Sequence, residues 1–261
     1  MVAQHRSALP GVEARTLLTS HVFPRHSHDG FGVGVMTAGA QRSWSGIGPV
    51  ESAAGDMITV NPGEMHDGAP VGGPRGWRML YLDPALVARE VAEAVGDAQE
   101  IARPALHDPM LSGLFDRLFA RATAVASEPL ALEEDLLRML VLLLRRHGAR
   151  PHPMRPASPA VAAARRCLDE TPERLVTLAE LAALAGVDRF SLLRGFARET
   201  GATPHAYLVQ RRVRLARQLL AADHAPAEAA LRAGFADQSH LTRAFRRQLG
   251  VTPARYRAAV T

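Results

Sequence analysis

The stretch GFADQSHLTRAFRRQLGVTPARYR, residues Gly234 to Arg257, decides the fold, because the chain carries nearly the same pattern 49 residues earlier. Leu241 repeats Leu192, Arg243 repeats Arg194 and Phe245 repeats Phe196. Gly250, Thr252, Pro253 and Tyr256 repeat Gly201, Thr203, Pro204 and Tyr207. Gly234 repeats Gly186 at an offset of 48, so the second copy holds one extra residue after its turn. Each copy reads as helix, glycine turn, second helix and a Gly-x-Thr-Pro stop. The i, i+4 spacing of Leu241 and Phe245 places both on one helix face.

Two short helices joined by a glycine-containing turn form a helix-turn-helix. In the first copy Thr177 and Glu180 have the spacing of a capping box, and Leu178, Leu181 and Leu184 line one face. Gly186 supplies a turn where positive φ is cheap. The second helix spans about 189–200, with Leu192 and Phe196 inward. The second copy repeats this with PAEAALRAGF and a helix over about 237–249. Between the copies, AYLVQRRVRLARQLLA reads as one amphipathic helix that would fix their spacing. Two such helices can read one DNA face only when about 34 Å, one duplex turn, separates them.

The outward residues follow from the inward ones. In the first copy they are Arg189, Phe190, Leu193, Arg194 and Ala197. In the second they are Gln238, Ser239, Thr242, Arg243 and Arg246, with His240 and Arg247 placed to reach the backbone. Arginine bonds guanine bidentately, glutamine reads adenine, and serine or threonine serves a base or a phosphate. Phe190 and Leu193 are apolar on this face, and fit either thymine methyls or the core. The alternative is a six-helix packing module with a solvated basic face.

Charge agrees with the nucleic-acid reading. The chain has 261 residues, no lysine and a net charge of +5. From Ala160 onward, 16 arginines face nine acids, a net +7; residues 1–159 carry 15 against 17, a net −2. A basic terminal third suits a polyanion. The single cysteine, Cys167, excludes an intrachain disulfide and a cysteine-rich metal centre. No charged-then-apolar leader opens the chain and no apolar run approaches a membrane span, so the expectation is a cytoplasmic protein without a membrane partner.

Upstream, about 14–82 read as short strands at roughly ten-residue spacing, which suggests a β-sandwich or barrel. GFGVG has alternate glycines but no following helix, so it is not a dinucleotide loop. Helices are expected over 84–95, with Asp83 as N-cap and Pro84 in the first turn, then over about 109–126 and 130–146. In the third, Leu136, Leu137, Leu140, Leu143 and Leu144 make a stripe wide enough to predict a dimer contact, burial within the domain being the alternative. GARPHPMRPASP, with four prolines in residues 148–159, reads as a linker.

The terminal region, about 172–257, resembles the AraC/XylS family of transcription regulators, through LAALAGVDRFSLLRGFARETGATPHAYLVQRRVRLARQLL followed by AALRAGFADQSHLTRAFRRQLGVTPARYR. The resemblance implies a two-headed DNA-binding domain, with Phe190, Leu193 and Arg194 on the first reading helix and Gln238, Ser239, Thr242 and Arg243 on the second. HSHDGFGVGVMTAG through GDMITVNPGEMHDG is similar to the family's cupin-like sensor domain, which implies a small effector in a β-barrel and dimerisation through helices.

The expected architecture is therefore a two-domain α+β chain. It has a cupin-like β-barrel with following helices over 1–147, a linker over 148–159 and an all-α tandem helix-turn-helix domain over 160–261. The expected function is a sequence-specific transcription regulator, not an enzyme, since no nucleophile–base set or phosphate loop is present. Its expected partners are operator DNA, a small-molecule effector, a second copy of the chain and RNA polymerase. The effector is expected near His26, His28, Trp44, His66 and Trp77, with no cofactor and no metal. The three histidines leave open a metal-sensing regulator or a cupin metalloenzyme. Metal cupins add a glutamate after the second histidine, where this chain has Gly32 and Val33.

Overall fold

A computed structural model describes residues 1–92, 100–150 and 157–260. The chain divides into two compact units, Met1–Met154 and Arg155–Thr261.

The first unit opens with seven strands: β1 (Val2–His5), β2 (Val12–Thr19), β3 (Phe23–His26), β4 (Phe31–Ser45), β5 (Gly48–Ala53), β6 (Met57–Val60) and β7 (His66–Leu82). Then follow α1 (Pro84–Val91), β8 (Glu100–Ile101), β9 (Ala105–Leu106), α2 (Pro109–Ala122), α3 (Pro129–His147) and β10 (Gly148–Ala149). The main sheet runs β1-β2-β7-β4-β6-β9, with β3 added to β7 and β5 to β4. All of these pairings are antiparallel.

Period-two alternation gives the sheet two apolar faces. Ala14, Val33, Val35, Met57, Leu80 and Leu82 join the core that includes Leu111, Phe115 and Leu118 of α2. Leu17, Phe23, Met36, Ile58, Val60, Trp77 and Met79 form a second, separate cluster on the opposite, inner face. Gly32 and Gly34 of GFGVG sit inside β4, with Gly30 just before it. A Cβ on Gly34 would lie 2.5 Å from the Met79 sulfur, so glycine there permits the close approach of β7.

The helices begin where the caps place them. Asp83 accepts a hydrogen bond from the Ala85 amide and Asp108 from the Leu111 amide. The expected helix over 84–95 ends at Val91, and residues 93–95 lie outside the described ones. The expected helix over 109–126 stops at Ala122, where the Thr123 hydroxyl donates to the Phe119 carbonyl.

The leucine stripe of α3 is corrected by its burial. Leu136, Leu140, Leu143 and Leu144 are all 3% exposed or less within one protomer, packed into the core with α1 and α2. Only Leu137, at 41% exposure, faces outward. The wide stripe exists because α3 is covered from several sides, which also explains the buried Asp135, paired to Arg121 at 3.1 Å. Gly148 and Ala149, read above as the start of the linker, pair instead with Ile101 and Glu100. Residues 151–156 of that stretch lie outside the described residues.

The second unit is helical: α4 (Pro159–Glu170), α5 (Leu178–Leu184), α6 (Arg189–Thr200), α7 (Pro204–Ala221), α8 (Pro226–Arg232), α9 (Gln238–Leu249) and α10 (Pro253–Val260). Two of these, α4 and α10, lie outside the five helices that the repeat and its connecting helix predict. Helix α4 is capped by Ser158 through the Val161 amide, and its Val161, Ala164 and Leu168 pack with Leu192 and Phe196. The central α7 packs against α4, α6, α8, α9 and α10.

No helix of the described residues is long and apolar enough to cross a membrane.

Candidate DNA interface and effector site

The two copies of the repeat are two copies of one structure. Helix α6 starts on Asp188, whose carboxylate accepts from the Ser191 amide, and α9 starts on Asp237, which accepts from the His240 amide. Both end on a left-handed glycine, Gly201 at φ 74° and Gly250 at φ 73°. Leu192 and Phe196 are buried in one copy, Leu241 and Phe245 in the other. Phe196 meets Tyr207 edge-on at 5.4 Å, and Phe245 meets Tyr256 at 5.5 Å. The Thr-Pro pairs do more than stop a helix. Thr203 and Thr252 accept from Ala206 and Arg255, and so start α7 and α10.

With one face of α6 and α9 buried, the other is solvent-facing. Arg189, Arg194, Gln238, Ser239, Arg243, Arg246 and Arg247 are exposed. Phe190 is 74% exposed, which removes it from the core, while Leu193 is half-buried. The Thr242 hydroxyl donates to the Gln238 carbonyl at 2.8 Å, and the His240 ring rests edge-on against Phe235 at 5.1 Å. Both are half-buried. Arg198 pairs with Glu199 at 3.1 Å. By contrast, Arg194, Arg243 and Arg246 have no acidic partner among the described residues. Cations left unpaired on a solvated face are available to phosphate or to guanine.

In the first unit, three of the expected effector residues converge. His26 closes β3 opposite His66, the first residue of β7. His28 lies past the end of β3, not on it. One ring nitrogen from each of the three lies within 4.8 Å of the others. Ring centroids are 4.8 Å apart for His26–His28, 4.3 Å for His26–His66 and 5.0 Å for His28–His66. His26 Nδ1 bonds the Pro24 carbonyl at 2.7 Å, and His66 Nδ1 bonds the Glu64 carbonyl at 3.1 Å. Trp77 is linked to the group through Phe23, 6.0 Å from Trp77 and 6.3 Å from His26. Trp44 is engaged elsewhere. The Arg25 guanidinium covers its ring at 3.9 Å, and its amide donates to Asp67.

The sequence reading missed Arg75. It is fully buried, and donates to Gln41 Oε1, the His21 carbonyl and the Gly68 carbonyl, each at 3.0 Å. Its guanidinium lies 5.0 Å from the Trp77 ring. All three acceptors are neutral, and no acidic side chain pairs with it among the described residues. Burial pushes its pKa down to about 10. The signal was its position two residues before Trp77 on a strand, hence on the same inner face.

Burial lowers the His26 pKa to about 3, helped by the neighbouring His66 imidazole; burial lowers His66 as well. In the unfolded chain His26 takes up its proton near pH 6.5. Between those values the unfolded state binds more protons, so stability is lost as pH falls. From pH 7 to pH 5, His26 alone is expected to cost about 2 kcal/mol, at about 1.4 kcal/mol per unit. Both tryptophans lie in this unit. Urea unfolding followed by tryptophan fluorescence, with chelator present, checks this. An unchanged midpoint at the two pH values contradicts it.

Comparison with known proteins agrees with both halves. The family "AraC-like ligand binding domain" matches residues 11–142, and the family "Helix-turn-helix domain" matches residues 181–259. The chain is 29% identical over 230 residues to the uncharacterized HTH-type transcriptional regulator YbfI of Bacillus subtilis (strain 168), covering 84% of this chain and 81% of that one. It is 37% identical over 106 residues to the HTH-type transcriptional regulator RipA of Corynebacterium glutamicum, 41% of this chain and 32% of that one. Among solved structures, ToxT from Vibrio cholerae strain SCE256 superposes with a TM-score of 0.59 at 10% identity, covering 96% of this chain and 95% of that one, which shows a shared two-domain fold. An inner-faced antiparallel sheet with an AraC-like ligand-binding match, joined to a duplicated helix-turn-helix unit, thus identifies the chain as a member of the AraC family of transcription regulators.

Proposed function

We propose that α6 and α9 are the two base-reading helices of this regulator. The observation that carries this is the set of unpaired arginines, Arg194, Arg243 and Arg246, on the faces opposite the buried Leu-Phe pairs. Arg243 and Gln238 read bases, as does Arg194 on α6 beside the exposed Phe190. Arg189, Ser239, His240, Thr242, Arg246 and Arg247 contribute backbone or flanking contacts, and Leu193 shapes the edge of the first helix. Selection of bound duplexes from random DNA by the full chain is the test. The expected product is a motif with two elements about one helical turn apart. Recovery of unenriched sequence would remove the reading.

The effector binds on the inner face of the sheet, beside His26, His28, His66 and Trp77, and biases how the DNA-binding unit engages its operator. One solved ToxT structure carries a bound unsaturated fatty acid. Here the uncompensated Arg75 guanidinium, with two of its five N–H groups unused, favours an effector that brings an anionic group. Trp44, covered by Arg25, belongs to the rim.

The protein works as a cytoplasmic homodimer that recruits or obstructs RNA polymerase, and it is not an enzyme. With Leu132, Leu136, Leu140, Leu143 and Leu144 of α3 buried, the dimer contact falls on the exposed Leu130 and Leu137, seven residues apart on one helix face. Leu137→Glu is expected to move the sedimentation coefficient to that of a monomer without lowering the unfolding midpoint. An unchanged dimer places the contact elsewhere.

A further inference from the structure

We infer that His26, His28 and His66 form a three-imidazole site for a divalent late first-row transition ion of the Zn²⁺ class, placed inside the effector-binding unit.

The hydrogen bonds made by the imidazoles carry this inference. A carbonyl oxygen only accepts, so the Nδ1 atoms of His26 and His66 must hold their ring protons. Each Nε2 is then left with a lone pair and no proton. This is the tautomer that a metal-bound histidine adopts, with its second nitrogen held by a backbone carbonyl.

The same bonds weaken the structural alternative, in which the three rings satisfy one another. His26 and His66 are register partners with ring centroids 4.3 Å apart. Having given their only N–H groups to Pro24 and Glu64, neither can donate to the other. With no N–H to exchange between them, the two rings leave their Nε2 lone pairs to another partner, and a cation shared with His28 supplies one. The third ring, His28, brings its nitrogen within 4.8 Å of both and is packed against Tyr81 at 4.7 Å.

The donor set selects the ion. Three neutral imidazoles with no carboxylate suit Zn²⁺, Ni²⁺, Co²⁺ or Fe²⁺, and not the oxygen-seeking Mg²⁺ or Ca²⁺. Three protein ligands leave a position for water or for a donor atom of an effector. His26 and His28 are 6% and 8% exposed, while His66 is only half-buried and marks the side of entry. Because the ion lies in the expected effector pocket, it is either the signal itself or the anchor for one. This step rests on the proposed regulatory reading.

The experiment uses the full chain, stripped with chelator and titrated with Zn²⁺ against a chromophoric competitor, then with Co²⁺ to record ligand-field bands. The expected result is one equivalent of Zn²⁺, bound more weakly by about 100-fold or more in His66→Gln and in His28→Gln, since removing a ligand exceeds the roughly 10–100-fold cost of losing an outer partner. Far-UV circular dichroism confirms that each variant is folded. The Co²⁺ complex should show the intensity of a low-coordinate nitrogen site, lost in the same variants. Less than one equivalent in the unsubstituted chain, or binding unchanged in the folded variants, overturns the site. Duplex binding is measured on the same samples with and without Zn²⁺. A chain that binds DNA but no metal refutes this site and leaves the regulator standing. A chain that binds one metal but no DNA does the reverse.

Discussion

Gly234→Ala is expected to destabilise the DNA-binding unit by about 3 kcal/mol or more, while Gly186→Ala costs about 1 kcal/mol. The two glycines occupy the same turn in the two copies, at φ 82° and φ 66°. A non-glycine residue in this left-handed region costs roughly 1–2 kcal/mol. At Gly186 that is the whole cost, because no heavy atom lies within 4 Å of the added Cβ. At Gly234 the Cβ would lie 2.6 Å from the Glu173 carbonyl oxygen and 2.9 Å from its carbonyl carbon. Backbone cannot swing aside as a side chain can, and overpacking adds about 1–3 kcal/mol. The displaced segment also has a structural task. Pro172 and Arg174, on either side of Glu173, lend their carbonyls to the buried Arg212 at 2.7 and 3.0 Å. Moving Glu173 disturbs those charge-assisted bonds. Hydrogen exchange of the α8 and α9 amides should accelerate strongly in Gly234→Ala, with operator binding lost. In Gly186→Ala exchange in α5 and α6 should rise modestly and binding should survive. Equal effects at the two turns would mean that Glu173 does not constrain the second one.

Much of this was legible in the sequence, and the remainder had definite physical reasons for being hidden. The repeat was readable because it fixes local geometry. The same Leu-x-x-x-Phe spacing, left-handed glycine and Thr-Pro start recur, and each is decided within a few residues. Helix α4 had no counterpart in the repeat, and its pattern, Val161, Ala164 and Leu168, was too sparse to stand out. Four of the five α3 leucines, Leu136, Leu140, Leu143 and Leu144, are covered within the protomer, which the sequence left open for a different reason. Periodicity reports that a face is covered, but not whether a neighbour in the same fold or a second chain covers it. The convergence of His26 and His28 with His66 was suggested by the motif, whereas the carbonyl partners that set their tautomers belong to tertiary structure. Arg75 was overlooked because an arginine near glycines reads as a surface loop. It becomes conspicuous only when β7 is seen to extend across the whole of His66–Leu82.

Replacing Arg243 and Gln238 together by alanine is expected to bring operator binding down to the level of unrelated duplex, each change costing about 1–3 kcal/mol and the two adding roughly. For Arg243→Ala alone, the expected loss is about 5- to 150-fold, the same energy expressed as a ratio. Neither change should affect folding. Both side chains are exposed, Arg243 has no acidic partner among the described residues, and the Gln238 carbonyl that accepts from Thr242 is backbone and survives substitution. Salt dependence separates base contact from phosphate contact. If Arg243 reads a base edge, its removal relaxes preference at one position and leaves the slope of log K against log salt nearly unchanged. If it neutralises a phosphate, affinity falls evenly across sequences and the slope decreases by about 0.9. Arg246→Ala is the control for the second pattern, since it also lacks an acidic partner and lies one turn nearer the end of α9. Selection from random duplexes together with fluorescence anisotropy at several salt concentrations resolves the cases. Retention of both affinity and base preference after loss of Arg243 would displace α9 from the major groove and leave the unpaired arginines without the role assigned to them.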